Sequence, residues 1–428
     1  MYLTAGLHRS LQRHPDKIAL VDGHCRLSFG QLHARVARLA AALQQLGVQH
    51  GDRIAVLAHN SARYVETTLA VWWCGATLNP VNTRWSLAEI TYALNDCAAR
   101  VLLVDDAFTA LAYDVVPPVA SLCATVHLGH APTPEGLHSY EALIDAATPV
   151  EDARPSADAL AAILYTGGTT GFPKGVMLSH HNFWSSSVGR TAEVPNPSDF
   201  VTLLIAPLFH VAGLGRLIGQ LIVGGTCVTL PAFRPDTVLH TIQEEGITDM
   251  VMVPSMVQML LDTPTFGQHD LSSLRRILWG AAPMALPLLE RALAALPHVE
   301  FIHAYGMTET AASVSVHRIG QAPEERRGEC IRSAGRAGYA TEIRVADPEG
   351  REVPTGGAGE SLVRGPAVVG GDWARPEETA QALHGGWLHT GDGGYMDAQG
   401  RLYVVDRLKD MIISGGENVY PAEVEEAL

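Results

Sequence analysis

Short apolar runs alternate along this chain with stretches whose apolar residues recur at helical spacing, and that alternation closes up well only as a mostly parallel sheet with helical crossovers. The first unit is clear. Ser28 and Gln31 form a capping box, Leu32, Val36, Leu39, Leu43 and Leu46 recur every third or fourth residue, and Gly47 stops the helix. A strand follows at 53–58, a helix pattern runs through Tyr64, Leu69 and Trp72, a turn is expected at Asn79-Pro80, and a helix near 87–95 precedes a strand at 101–104. After a polar, proline-containing stretch near 148–157 a second set begins: strand 160–165, a Gly-rich loop, helix 179–190, strand 201–205, a small-residue helix and strand 226–230. Beyond residue 335 glycines and short alternating runs at 341–345, 360–364 and 401–405 predict a small β-rich subdomain. The expected fold class is α/β. Two α/β subdomains, about 1–155 and 156–335, and the β-rich subdomain, about 336–405, would form one large N-terminal domain.

Composition narrows the partners. The 428 residues are about three times a typical domain, and 47% apolar residues against 18% charged ones provide for a sizeable core. Net charge is −15 and no basic run is present, which argues against nucleic acid and anionic membranes, so an anionic ligand needs a local site. The longest apolar region, 203–230, is interrupted by Pro207, His210, Arg216 and several glycines and does not read as a membrane span. Six scattered cysteines without a CxxC pair suit a reducing cytoplasm, and the N-terminus lacks the basic-then-apolar pattern of a signal peptide.

Residues 164–180 carry the strongest chemical signal. Thr166, Gly167, Gly168, Thr169, Thr170 and Gly171, followed by Pro173 and Lys174, can turn backbone N–H groups and hydroxyls onto an anion, with the lysine as a point charge. Such a loop holds phosphate. It is not a Walker A loop, which needs Gly directly before the Lys and Ser or Thr after it. A plain flexible loop is the alternative, but it has no need of this ordered pattern. Four further segments mean little alone: Trp279-Gly280-Ala281-Ala282-Pro283, where small residues allow close approach; Tyr305-Gly306-Met307-Thr308-Glu309-Thr310, a strand-to-loop turn; Trp387-Leu388-His389-Thr390-Gly391-Asp392, a surface turn; and the charged stretch Asp406-Arg407-Leu408-Lys409. Gly213-Leu214-Gly215-Arg216-Leu217-Ile218-Gly219 mimics a dinucleotide fingerprint but follows Pro207-Leu208-Phe209-His210, so tight helix packing is the better reading. The pair His180-His181 cannot share a helix face and reads as capping or packing rather than metal binding.

Taken in order, these segments resemble the adenylate-forming superfamily of acyl-CoA synthetases, luciferases and peptide-synthetase adenylation domains, over nearly the whole chain. One position departs, Gly168 standing where the family usually has Ser. The resemblance implies that Thr166 through Thr170, Gly171 and Lys174 hold phosphates, that Gly280, Ala281, Ala282, Gly306 and Met307 line the nucleotide site, and that Tyr305 stacks on the adenine. Thr308 would contact the α-phosphate, Glu309 would ligate magnesium, Asp392 would bind the ribose, Arg407 the ribose or phosphate, and Lys409 would be the hinge. Thr166, Lys174, Thr308 and Glu309 would form the catalytic group. Phe209, His210, Val211, Gly213, Trp279 and Gly280 would line the acid pocket, which looks apolar and shows no extra cation beyond Arg216, favouring a fatty or aromatic monocarboxylate.

The activity so implied has two steps: a carboxylic acid reacts with ATP and magnesium to give acyl-AMP and pyrophosphate, and coenzyme A then takes the acyl group. A ligase loading a carrier protein, or a non-catalytic nucleotide- or acyl-binding module, is the alternative; self-association as a homodimer is left open. Residues 406–428 read as the hinge and the opening of a C-terminal lid. The lid's lysine is expected beyond residue 428, so this piece is expected to bind ligands and turn over slowly.

Overall fold

A computed structural model describes residues 1–167, 173–319 and 329–407, and the backbone of the strands Ile412–Ser414 and Glu417–Val419. Three sheets organise the chain. The first has seven strands in the order His138–Ser139, Ala124–His127, Ala99–Val104, Arg53–Leu57, Thr77–Pro80, Leu160–Thr166 and Lys174–Ser179, all parallel except the last. The second has nine strands. Ile18–Asp22, Thr226–Thr229, Val201–Leu204, Asp249–Met252, Arg276–Trp279 and Glu300–Tyr305 run parallel through its centre, and antiparallel strands flank them on both sides. The third is antiparallel and holds Glu342–Ala346, Gly359–Arg364, Leu383–His384, Trp387–Met396 and Leu402–Arg407. The α/β class with a β-rich subdomain is therefore the observed architecture.

The expected elements form for the expected reasons. Helix Phe29–Gln45 starts at a capping box in which the Ser28 side chain accepts from the Gln31 N–H and the Gln31 side chain accepts from Ser28, and it buries Leu32, Val36, Leu39 and Leu43. Gly47, at φ +92°, follows it in the left-handed region.

Two readings are corrected. Asn79-Pro80 is not a turn: both residues end the strand Thr77–Pro80, where Asn79 Nδ2 donates to the Ile163 carbonyl at 3.2 Å. The Gly-rich loop does not lead straight into a helix; Lys174–Ser179 first returns as a strand beside Leu160–Thr166, and the helix starts at His180. The sheets also interleave across residue 155, because Ile18–Ser28 belongs to the second sheet and Leu160–Ser179 to the first. Among the described residues no helix is long and apolar enough to cross a membrane.

Candidate active site

The order of strands in the second sheet locates the site. Chain order in the second sheet runs from Val201–Leu204 outward to Thr226–Thr229 and then back across to Asp249–Met252, so a switch point lies between the strands ending at Leu204 and Met252. A cleft of about 1360 Å³ opens there, walled by Ala206, Pro207, Val253 and Met256. All three sheets contribute: Thr166 and Lys174 from the first, Trp279 and Ala304 from the second, Leu388 and Arg407 from the third.

Lys174 opens its strand opposite Thr166, which fixes the lysine at the end of the Gly-rich loop. Its Nζ donates to Glu309 Oε1 at 2.7 Å and to Asp372 Oδ2 at 3.1 Å. Desolvation works against the lysine's charge, but Glu309 and then Asp372 outweigh it and raise its pKa. Burial holds the Asp372 carboxyl above the usual carboxylate range in spite of Lys174. Asp372 Oδ1 is buried without a partner among the described residues, and so is the Thr166 hydroxyl. Unsatisfied buried oxygens are costly and point to a ligand.

A second polar group is built around Asp392. The Tyr305 hydroxyl donates to Asp392 Oδ2 at 2.6 Å, Arg407 Nε pairs with Asp392 Oδ1 at 2.8 Å, and the Asp392 N–H donates to the Thr390 hydroxyl at 3.0 Å. Burial, with Asp392 beside it, pushes the Tyr305 phenol up; burial also raises the Asp392 carboxyl. On the cleft wall, Ala281 and Ala312 adopt φ of +66° and +103°, left-handed backbone that costs alanine about 1–3 kcal/mol each and gathers at functional sites. His210 caps helix Val211–Val223, its Nδ1 accepting from the Ala212 N–H at 3.2 Å, so Nε2 carries the ring proton. Solvent reaches His210 through the wide cleft, yet the surrounding protein, then Arg84, holds its pKa below the ordinary value.

Of the sequence-derived positions, Thr166, Gly167, Lys174, Phe209, His210, Val211, Trp279, Gly280, Ala281, Gly306, Met307, Thr308, Glu309 and Arg407 lie on the cleft wall. Tyr305 and Asp392 stand behind it. Ala282 is exposed off the wall, and Gly213 is packed under the Pro207 carbonyl, where a Cβ would collide. Gly168, Thr169, Thr170, Gly171 and Lys409 lie outside the described residues. Sequence reasoning missed Asp372, hidden in an unremarkable Gly370-Gly371-Asp372, and missed a second cation, the half-buried Arg190, on the cleft wall beside Arg216. The expectation of no extra cation beyond Arg216 is thereby corrected.

Comparisons with known proteins identify the family. The family of AMP-binding enzymes matches residues 7–373. A feruloyl-CoA synthase from Amycolatopsis sp is 40% identical over 426 residues, covering 98% of this chain and 81% of that protein. The anthranilate CoA ligase AuaEII in complex with anthranoyl-AMP superposes with a TM-score of 0.91 at 29% identity, covering 100% of this chain and 82% of its own. The o-succinylbenzoate coenzyme A synthetase MenE from Bacillus subtilis, in complex with ATP and magnesium ion, gives a TM-score of 0.85 at 32% identity over 98% of this chain and 83% of its own. With a family match over most of its length and relatives of 40% identity, the chain belongs to the AMP-binding enzyme family and is an AMP-forming acid–thiol ligase of the acyl-CoA synthetase type.

Proposed function

We propose that this enzyme activates an aromatic carboxylic acid with magnesium-ATP and passes the acyl group to coenzyme A in a reducing cytoplasm. The acid's carboxylate oxygen attacks the α-phosphorus, the bond to pyrophosphate breaks, and acyl-AMP remains bound. The thiol then attacks the acyl carbon and AMP leaves. The observation that carries this reading is the convergence of Lys174, Glu309 and Asp372 on the cleft that Arg407 also lines, with the Tyr305–Asp392–Arg407 group beside it.

Lys174 and Thr166 would hold the departing phosphates, and Thr308 the α-phosphate. Asp392, oriented by Tyr305 and Arg407, would accept from the ribose hydroxyls. These groups position reactants and neutralise charge; no covalent protein intermediate is needed. Magnesium fits the donor set: Glu309 and Asp372 Oδ1, unpartnered among the described residues, would supply hard carboxylate oxygen, and phosphate and water would complete the shell. Bound there, the ion would neutralise charge on the phosphate oxygens. An aromatic acid suits the flat indole of Trp279, which stacks on His303 at 4.9 Å, and agrees with the aryl acids in the relatives' names.

The test is native mass spectrometry of the protein with magnesium-ATP and pooled aromatic and fatty acids. A retained acyl-adenylate, whose mass names the acid, is the expected result. Bound nucleotide with no adenylate from any acid overturns the reading.

A further inference from the structure

Below the mouth of the cleft lies a group of charges that the adenylation chemistry does not use. Arg216 is almost wholly buried and lines the cleft, and one of its nitrogens, Nη2, serves Asp249, Thr202 at 2.6 Å, Gln220 at 3.1 Å and Asn196 at 3.2 Å. Its Nε and Nη1 are buried and unpartnered among the described residues. Arg190, in the last turn of helix His180–Glu193, lines the same cleft, and its Nη2 is sealed from solvent with no partner among the described residues. These two cleft-lining cations share one nearby carboxylate, Asp249, with a third arginine, Arg276.

The backbone makes room for them. A Cβ at Gly219 would collide with the Arg190 guanidinium and come within 3.8 Å of Arg216 Nη1. The third glycine of the Gly213–Gly219 segment therefore clears a space that an arginine head fills, which goes beyond helix packing. The depth is also set. Asp249 begins the strand whose last residue, Met252, stands at the upper wall, so the arginines lie roughly three residue steps, about 10 Å, beneath the strand ends where the acid's carboxylate would react. Burial, then Arg216 and Arg276, oppose the charge on Arg190. A guanidinium stays protonated, so this cation, which Asp249 favours only in part, is under-compensated where it is buried.

We infer that the deep end of the cleft is a subsite, formed by Arg190 with Arg216, for an oxygen acceptor at the far end of the acid substrate. This inference rests on the acid-activating reading and names the substrate class: acids carrying a phenolic or second carboxylate oxygen opposite the reacting carboxylate. Buried donors built for such an oxygen discriminate against an acid that lacks it, because they are then left unpaired.

The test compares cinnamate, 4-hydroxycinnamate and 4-carboxycinnamate by calorimetric titration in the presence of AMP and, separately, by acid-dependent pyrophosphate release. At least one oxygen-bearing acid is expected to bind about tenfold or more tighter than cinnamate. Arg190→Met should close that gap and Arg190→Lys should restore part of it. Met is the safer probe, since it removes a lone buried charge, whereas changing Arg216 would strand Asp249. A gain confined to 4-hydroxycinnamate assigns the subsite to phenols, and one confined to 4-carboxycinnamate assigns it to carboxylates. Equal binding of all three acids, or a gain that survives Arg190→Met, overturns the inference. Pyrophosphate release with cinnamate but no gain from the distal oxygen removes the subsite alone; a binding gain without release from any acid removes the acid-activating reading alone.

Discussion

The two ends of the cleft carry opposite imbalances of charge. At the mouth one cation, Lys174, faces two carboxylates, Glu309 and Asp372; at depth two cleft-lining cations, Arg190 and Arg216, share one nearby carboxylate, Asp249, with Arg276. Burial separates them further. The Lys174 side chain keeps 33% of its surface exposed, whereas Arg216 keeps 2% and is tied into Thr202, Asn196 and Gln220. The mouth is thus a site whose ion pairs can open when a metal or phosphate arrives, while the deep pair is permanent structure with one spare cation beside it. A ligand that completes both ends is cation-assisted where it reacts and oxygen-bearing where it terminates.

The comparison can be broken most decisively at the deep end. Arg216→Met leaves Asp249 charged, buried and unpaired, and is expected to cost about 3–5 kcal/mol in thermal or denaturant unfolding. Unchanged stability would mean that the deep charges are not a paired unit. At the mouth the large effect should fall on rate instead. Lys174→Met is expected to lower acid-dependent pyrophosphate release about 10²- to 10³-fold with little loss of fold, and an unaltered rate would remove the lysine from the phosphate site. Asp372→Asn is the finer probe, expected to raise the magnesium concentration needed for half-maximal rate about 10- to 100-fold. Its stability effect has a definite sign. Because the Asp372 pKa is raised, the folded chain holds that proton more tightly than the unfolded one, so the group favours folding at acid pH and loses that contribution as pH rises through the folded value. The Asn variant, which cannot ionise, should therefore gain slightly over the native protein at neutral pH and show no gain in strong acid.

Much of this was legible in the chain because it depends on local rules. The capping box at Ser28, the glycine stop at 47 and the helix His180–Glu193 follow from nearest neighbours. Thr166, Lys174, Thr308, Glu309 and Arg407 were found because they sit in ordered motifs, and they meet on one cleft. What stayed hidden is what depends on long-range packing. Asn79-Pro80 has turn chemistry, but parallel neighbours on both sides draw it into a strand. Asp372 reaches Lys174 across almost two hundred positions of chain. Nothing in the sequence around Arg190 marks it, and its place against the cleft becomes visible only once Gly219 is seen opposite it.

The strand that begins with Lys174 is the outermost of the first sheet, so one row of its backbone groups faces away from any sheet neighbour. Residues 371–373 cover that row: the Met177 N–H donates to the Gly371 carbonyl at 3.1 Å and the Trp373 N–H to the Gly175 carbonyl at 2.7 Å. The segment that presents Asp372 to the lysine therefore also closes a strand margin that could otherwise template pairing with another chain. A substitution that loosened this seam would reduce solubility as well as activity, and the two losses should scale together in a series of graded variants.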